Sequence, residues 1–195
     1  MLAARLQAAG ADLSRVHFID GVSDGGCFDP GRDVDLLDAT LSGLPAPKLL
    51  ILDPIVQAVM GDSHKGAEVR RSLQPIVDLA RRHGCAVAGI THFSKGTGGR
   101  DPVERVTGSI AFAALARLVL VAAKVKGDDP GEDKRILMRA KSNNGPDDGG
   151  FEYELERVEV APDVEGQRVK WGAAITGTAR EVLAEAEADS AGDDE

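Results

Sequence analysis

Two kinds of pattern alternate along the first half of the chain: short unbroken apolar runs and longer stretches with helical periodicity. The run KLLIL at 48–52 meets an acid at Asp53 and a proline at Pro54. A run this short and apolar reads as a strand buried on both faces of a parallel sheet. A second run, residues 85–91, delivers His92 to its carboxyl end, and VHFI at 16–19 reads as another strand. Helical segments fall between them: residues 2–9, stopped by Gly10; residues 33–43, with Leu36, Leu37 and Leu41 on one side; and residues 67–83. The last has the stripe Val69, Leu73, Ile76, Val77 and Ala80 and is closed by Gly84. Pro75 inside that stripe predicts a kink or a division into two shorter helices. Strand, helix, strand in succession implies parallel order with right-handed crossovers. The strands at 16–19, 48–53 and 86–91 are therefore expected to be parallel, with Asp53 and His92 on the same rim.

The second half changes character. Residues 93–107 form a polar, glycine-containing loop with Lys95, Arg100 and Arg105, placed to cover a ligand or reach a partner. An apolar helix at 108–116 leads to Arg117 and the strand LVLVAAKV. The turn GDDPGEDKR and the arm ILMRAK then predict an antiparallel hairpin ending at Lys141, and FEYELERVEV and QRVKWGAAI predict further antiparallel strands. A last helix spans 177–188, and the rest is an acidic tail too polar to pack. The expected organisation is one α/β domain over residues 1–176, followed by a helix and tail over 177–195.

Composition narrows the class. A chain of 195 residues, 43% hydrophobic, suits one soluble globular domain. The formal charge of −9 is uneven: seven acids and no lysine or arginine lie between Glu181 and Glu195, which leaves −2 for residues 1–180. Loose electrostatic adhesion to DNA is thus disfavoured, although a local basic loop can still touch a phosphate backbone. Cys27 and Cys85 are too few for a disulfide framework, and no Cys/His spacing matches a zinc site, so a reduced, cytoplasmic setting is expected. No apolar run approaches the length of a membrane span, and the first ten residues lack the pattern of a signal peptide.

Asp53 is the leading candidate for chemistry. In open α/β sheets the carboxyl ends of the strands border the ligand crevice, where an acid can hold magnesium beside a nucleotide. The same Asp-Pro pair also suits a plain turn. His92, at the end of the next strand, can donate to a phosphate oxygen or simply cap its strand. The segment GDSHKG offers a different chemistry, because it resembles the GD-x-HG element of metallophosphoesterases, with Asp62, His64 and His92 as ligands. The D-x-H and GNH[DE] elements of that family are absent.

Four motifs in order, LLILDP, ITHFSKG, GSIAFAALAR and RAKSNNGP, resemble the second half of the RecA-like P-loop ATPase core over roughly residues 2–160. The closest likeness is to the RepA-like hexameric helicases, whose plasmid and prophage relatives are called AAA family ATPases. The resemblance implies an α/β fold with a mostly parallel sheet and antiparallel C-terminal strands. It makes Asp53 the Walker B aspartate on a magnesium ion, and His92 a sensor of the ATP γ-phosphate. Arg117 corresponds to an arginine finger given in trans to a neighbouring subunit. Lys141 falls where related replicative helicases carry a second trans lysine, although the arginine of that turn is Asn143 here. ATP and Mg2+ are the implied cofactors and a homo-hexamer the implied assembly, with single-stranded DNA reached through the loop 93–107.

The chain departs from the family in one large respect: no G-x-x-x-x-G-K-[ST] occurs in it. Gly61 and Gly66 have the spacing of the two glycines, but Ala67 and Glu68 stand where lysine and serine or threonine belong. In the family the P-loop and the catalytic glutamate precede the helix with which this sequence opens. The expectation is an N-terminally truncated core with a gap between the strand ending at His92 and the strand after Arg117, hydrolysing ATP poorly by itself. A non-catalytic subunit that keeps the surface for assembly or DNA binding is the alternative.

Overall fold

The computed structural model describes residues 2–19, 21, 28–94, 97–105, 110–126 and 133–191, without the side chains of Lys126, Asp133 and residues 186–191. Cys27, Lys95, residues 106–109, the turn at 127–132 and the tail end at 192–195 lie outside the described residues. The chain divides into two compact units, residues 20–117 and residues 1–19 with 118–195.

The central unit is built on two strands, β1 (Leu49–Leu52) and β2 (Ala86–Gly89), paired in parallel with Leu49 opposite Ala86 and Leu52 opposite Gly89. The crossover between them is α3 (Gly66–His83), and α2 (Pro30–Ser42) packs against α3. Asp29 caps α2, accepting from the Gly31 N–H at 2.8 Å, and Pro30 occupies the first turn, where its missing N–H costs nothing. Helix α3 ends at Gly84 in the left-handed conformation, φ 60°, which a residue with a Cβ adopts only under strain. It runs unbroken through Pro75, so the expected division into two helices does not occur. Leu37 and Leu41 of α2 meet Ile76 and Leu79 of α3, and Leu50 and Leu52 of β1 pack on that cluster.

Helices cover β1 on one face only. Leu49 and Ile51 are each 55% exposed while Leu50 and Leu52 are half-buried, which corrects the expectation of a strand buried on both sides. The segment 16–19 forms no strand: Phe18 and Ile19 are exposed, and these residues group with the other unit. Strand character needs a ladder, and among the described residues VHFI pairs with no strand.

The other unit is antiparallel throughout. Strands β3 (Leu118–Lys126), β4 (Asp133–Ser142), β5 (Gly150–Ala161) and β6 (Val164–Ile175) pair in sequence order. Its buried layer holds Val121, Ile136 and Met138, against which α5 (Ala179–Ala191) sets Ala179 and Leu183. Helix α1 (Leu2–Ala8) packs on β5 and β6, with Ala4 and Ala8 directly over Gly166. The protein is therefore α/β with two sheets, not one mostly parallel sheet: β2 and β3 belong to different sheets, and antiparallel pairing predominates. Consecutive hairpin strands find their partners locally, whereas β1 and β2 have one parallel neighbour each.

Candidate functional site

The rim at the carboxyl ends of β1 and β2 is stitched by backbone hydrogen bonds beyond the strands themselves. The Ile90 N–H donates to the Leu52 carbonyl at 2.9 Å, and the Ile55 N–H donates to the Ile90 carbonyl at 2.8 Å. Asp53 follows Leu52 on one strand and His92 follows Gly89 by three positions on the other, so both leave the same rim, and both are exposed.

After Asp53 the chain turns through Pro54 into a 3-10 turn at Ile55–Ala58 that folds back over β2. Gly89 makes this approach feasible, because a Cβ there would collide with Cδ1 of Ile55. Ile55 and Val56 in turn pack on the cluster of Ala58, Val59, Val69, Leu73, Ala111 and Phe112. One apolar cluster thus seats the segment after Asp53, the start of α3, and α4 (Ile110–Leu115), the short helix that ends just before Arg117. Arg117 is exposed at the end of this unit. Lys141 lies in the other unit, half-buried on β4 opposite Val119.

Residues 93–105 close on themselves. The Ser94 N–H donates to the Arg105 carbonyl at 2.8 Å, and the Thr97 hydroxyl donates to the Ser94 carbonyl at 2.6 Å. The Arg105 guanidinium sits 4.4 Å from the centre of the Phe93 ring, a cation–π contact. Of the three cations read in this loop, Arg105 is folded back onto its own loop and Arg100 is exposed, while Lys95 lies outside the described residues.

The GDSHKG segment serves as the entry to α3. Asp62 accepts from the His64 N–H at 2.9 Å, and Glu68 accepts from the Asp62 N–H at 2.5 Å while holding Lys65 at 3.4 Å. Among the described residues no group of three or more His, Cys, Asp or Glu is arranged to hold a metal, a group that Asp62, His64 and His92 would have to form in a metallophosphoesterase.

A family profile described as AAA domain matches residues 1–98, half of the chain. The chain belongs to the AAA domain family. The match spans both β1 with Asp53 and β2 with His92 and stops before α4, Arg117 and the antiparallel sheet. The domain is accordingly of the ATPase type, for which nucleotide use is the general property. No curated protein matches the chain. Among the described residues no helix is long and apolar enough to cross a membrane.

Sequence reasoning identified the two rim residues but missed what positions them. Gly89 and Ile55 carry a readable signal only in hindsight, as a glycine at the end of an apolar run facing a β-branched residue after Asp-Pro. A second unread link ties α2 to α3: Asp38 contacts His83 Nε2 at 2.5 Å and Arg82 Nη1 at 2.9 Å. These partners hold the Asp38 carboxyl below its ordinary pKa, the His83 hydrogen bond being the main cause.

Proposed function

We propose that this AAA-family protein supplies the metal-holding and γ-phosphate-sensing side of an ATPase site in a RepA-like replicative helicase or related DNA-associated ATPase. The observation that carries the reading is the pair Asp53 and His92, exposed on one rim of a parallel sheet within the residues that match the family. Asp53 suits a magnesium ion held jointly with phosphates. Mg2+ keeps several waters and takes one or two carboxylates, so it needs no cage of protein ligands. On this reading His92, one strand away, donates to a phosphate oxygen. The chain has no G-x-x-x-x-G-K-[ST] segment, so on this reading its nucleotide affinity alone is weak and its turnover slow.

Arg117, exposed beside the end of α4, is assigned to a neighbouring subunit's nucleotide in a homo-hexamer, with Lys141 as a second trans contact. The loop 93–107 is the part assigned to single-stranded DNA.

Titration with a fluorescent ATP analogue, with Mg2+ and with EDTA, tests the core of the proposal. Magnesium-dependent binding that Asp53→Ala abolishes is the expected result. Equal binding by wild type and variant, or none by either, favours the non-catalytic subunit, and manganese-dependent phosphoesterase activity would favour Asp62 and His64. In the ATP-hydrolysing assembly, Arg117→Ala should leave binding near normal and lower turnover by about 10³-fold or more, as arginine fingers do. Mixing it with Asp53→Ala should restore some activity, since mixed rings contain interfaces with both residues intact. Mixed rings no more active than the separate variants, after subunit exchange is confirmed, would remove the trans assignment.

A further inference from the structure

The antiparallel sheet of the second unit is covered on one side. Helices α5 and α1 lie over the face that bears Val121, Ile136, Met138 and Gly166. An antiparallel sheet can leave its other face to water, and that face is then ordinarily polar. Here it is not. Pairing of Lys124 with Arg135, Arg135 with Tyr153 and Tyr153 with Trp171 sets one row across all four strands on the open face. Phe151 and Arg139, two or four residues away on their strands, share that face. Phe151 is 51% and Trp171 56% exposed. Both Phe151 and Tyr153 meet the indole edge-to-face with ring centres 6.1 Å apart, which keeps the three rings together as one surface.

Charge is segregated between the two faces. The covered side carries its acids paired with bases: Glu152 with Lys134 at 3.6 Å, Glu154 with Lys170 at 3.4 Å, Glu156 with Arg168 at 2.9 Å. On the open side the acids whose side chains are described lie at the far end of the β5–β6 hairpin, where Glu165 meets Arg157 at 3.9 Å, and Asp133 shares this side by register at the opposite end, beside the β3–β4 connection. Among the described residues neither Arg135 nor Arg139 enters a salt bridge. Aromatic rings flanked by arginines that no described acid pairs are a surface of one chemistry: π-faces for stacking and cations for phosphates.

We propose that this open face, centred on Phe151, Tyr153 and Trp171 with Arg135 and Arg139, binds single-stranded nucleic acid. Unpaired bases can stack on the rings, while a duplex hides its base faces and offers phosphates alone. A second copy of the chain is the poorer occupant. A two-fold axis through the aromatic centre sets the same patch against itself, and that would bring the arginines beside the rings close to their own copies. The site is argued from the sheet alone and holds whether or not the parallel unit takes nucleotide.

Trp171 is the single tryptophan of the chain, so its intrinsic fluorescence reports on the site directly. The full chain is titrated, without ATP, with oligo-dT and oligo-rU of about 20 nucleotides, with a duplex of equal length, and with heparin. Quenching by either single strand is expected at concentrations where duplex and heparin have little effect, and its preference between DNA and RNA names the source. Phe151→Ala should weaken binding roughly tenfold. Arg135→Ala with Arg139→Ala should weaken it and flatten the salt dependence by about 1.4 in log–log slope. Phe151 is exposed and the two arginines are half-buried, and unchanged thermal unfolding of the variants confirms that they fold. No quenching by either single strand overturns the proposal, as does heparin matching the oligonucleotides or variants binding like wild type. Self-association that shields Trp171 from acrylamide, without any response to oligonucleotide, assigns the face to a second copy instead.

Discussion

The two units of this protein solve the burial of a sheet in opposite ways. In the antiparallel unit four strands pair with their sequence neighbours, and two helices cover one face, a stable arrangement for such a sheet. In the parallel unit two strands joined by α3 have helices on one face, and the other face bares Leu49 and Ile51. Parallel sheets ordinarily bury both faces, so the stability of this unit rests on the single layer where α2 and α3 meet β1. The unit that carries most of the family match and the rim residues Asp53 and His92 is thus the more sparsely covered of the two.

Removing a side chain from that layer should have the largest effect. Leu79 is fully buried between α2, α3 and β1, and Leu79→Ala should cost about 2–5 kcal/mol. Hydrogen exchange should show the loss of protection in β1 and β2 ahead of β3 to β6. Met138→Ala, equally buried in the antiparallel unit, should cost a similar amount and reverse that order. Exchange that rises uniformly over both units with either variant would break the comparison.

A smaller effect is expected where the rim is assembled. Gly89→Ala places a methyl against Ile55 and should cost about 1–3 kcal/mol through overpacking. Adding Ile55→Ala should return part of that cost, because the second change removes the atoms in collision. Denaturant midpoints of the two single variants and the double variant measure this coupling, and strictly additive values would show that Ile55 does not set the fit.

How much of this was legible in the sequence depended on the range of the interactions. The antiparallel strands were readable because their turns and alternating patterns are local, and β4 and β5 ran only a few residues beyond their expected ends. The strands β1 and β2, their parallel order and the shared rim of Asp53 and His92 were readable from apolar runs separated by a helix. What failed was non-local. VHFI looked like a strand, but strand character needs a neighbour, and no local pattern says whether one exists. The burial of β1 was overestimated for the same reason: an apolar run reports what a strand could bury, not what covers it. Helix α2 began earlier than its leucines suggested, because Asp29 and Pro30 form its cap inside a stretch that reads as loop.

Acid should separate the helices by their anchors. Asp33 is held below its ordinary pKa first by Arg32 and then by the Asp29 N–H, and Asp38 by His83 and then Arg82. Depressed carboxylates contribute stability that is complete above the ordinary carboxylate range and is lost as the pH falls through their lower folded values. Both act on α2, so its exchange protection should fall with acid before that of α3. Asp38→Asn should remove most of this pH dependence, and an unchanged acid profile in that variant would shift the role to Asp33 alone.

The smallest effect belongs to the antiparallel unit and provides a control for the others. Thr178 and Glu181 form a reciprocal cap at the start of α5. The Glu181 N–H donates to the Thr178 hydroxyl oxygen at 3.2 Å, and Glu181 accepts from the Thr178 N–H at 2.9 Å and from its hydroxyl at 2.8 Å. Thr178→Ala should therefore cost about 1 kcal/mol. The Thr178 bonds also depress the Glu181 pKa, so the carboxylate's share of the cap is present at neutral pH and lost as the pH falls through the lowered value. The cost of Thr178→Ala should accordingly shrink in acid, while that of Leu79→Ala, which involves no ionisable group, should persist as long as the protein remains folded. Chemical denaturation of both variants at neutral and acid pH checks this. A Thr178→Ala penalty independent of pH would mean that the hydroxyl alone caps α5 and that Glu181 contributes nothing through its charge.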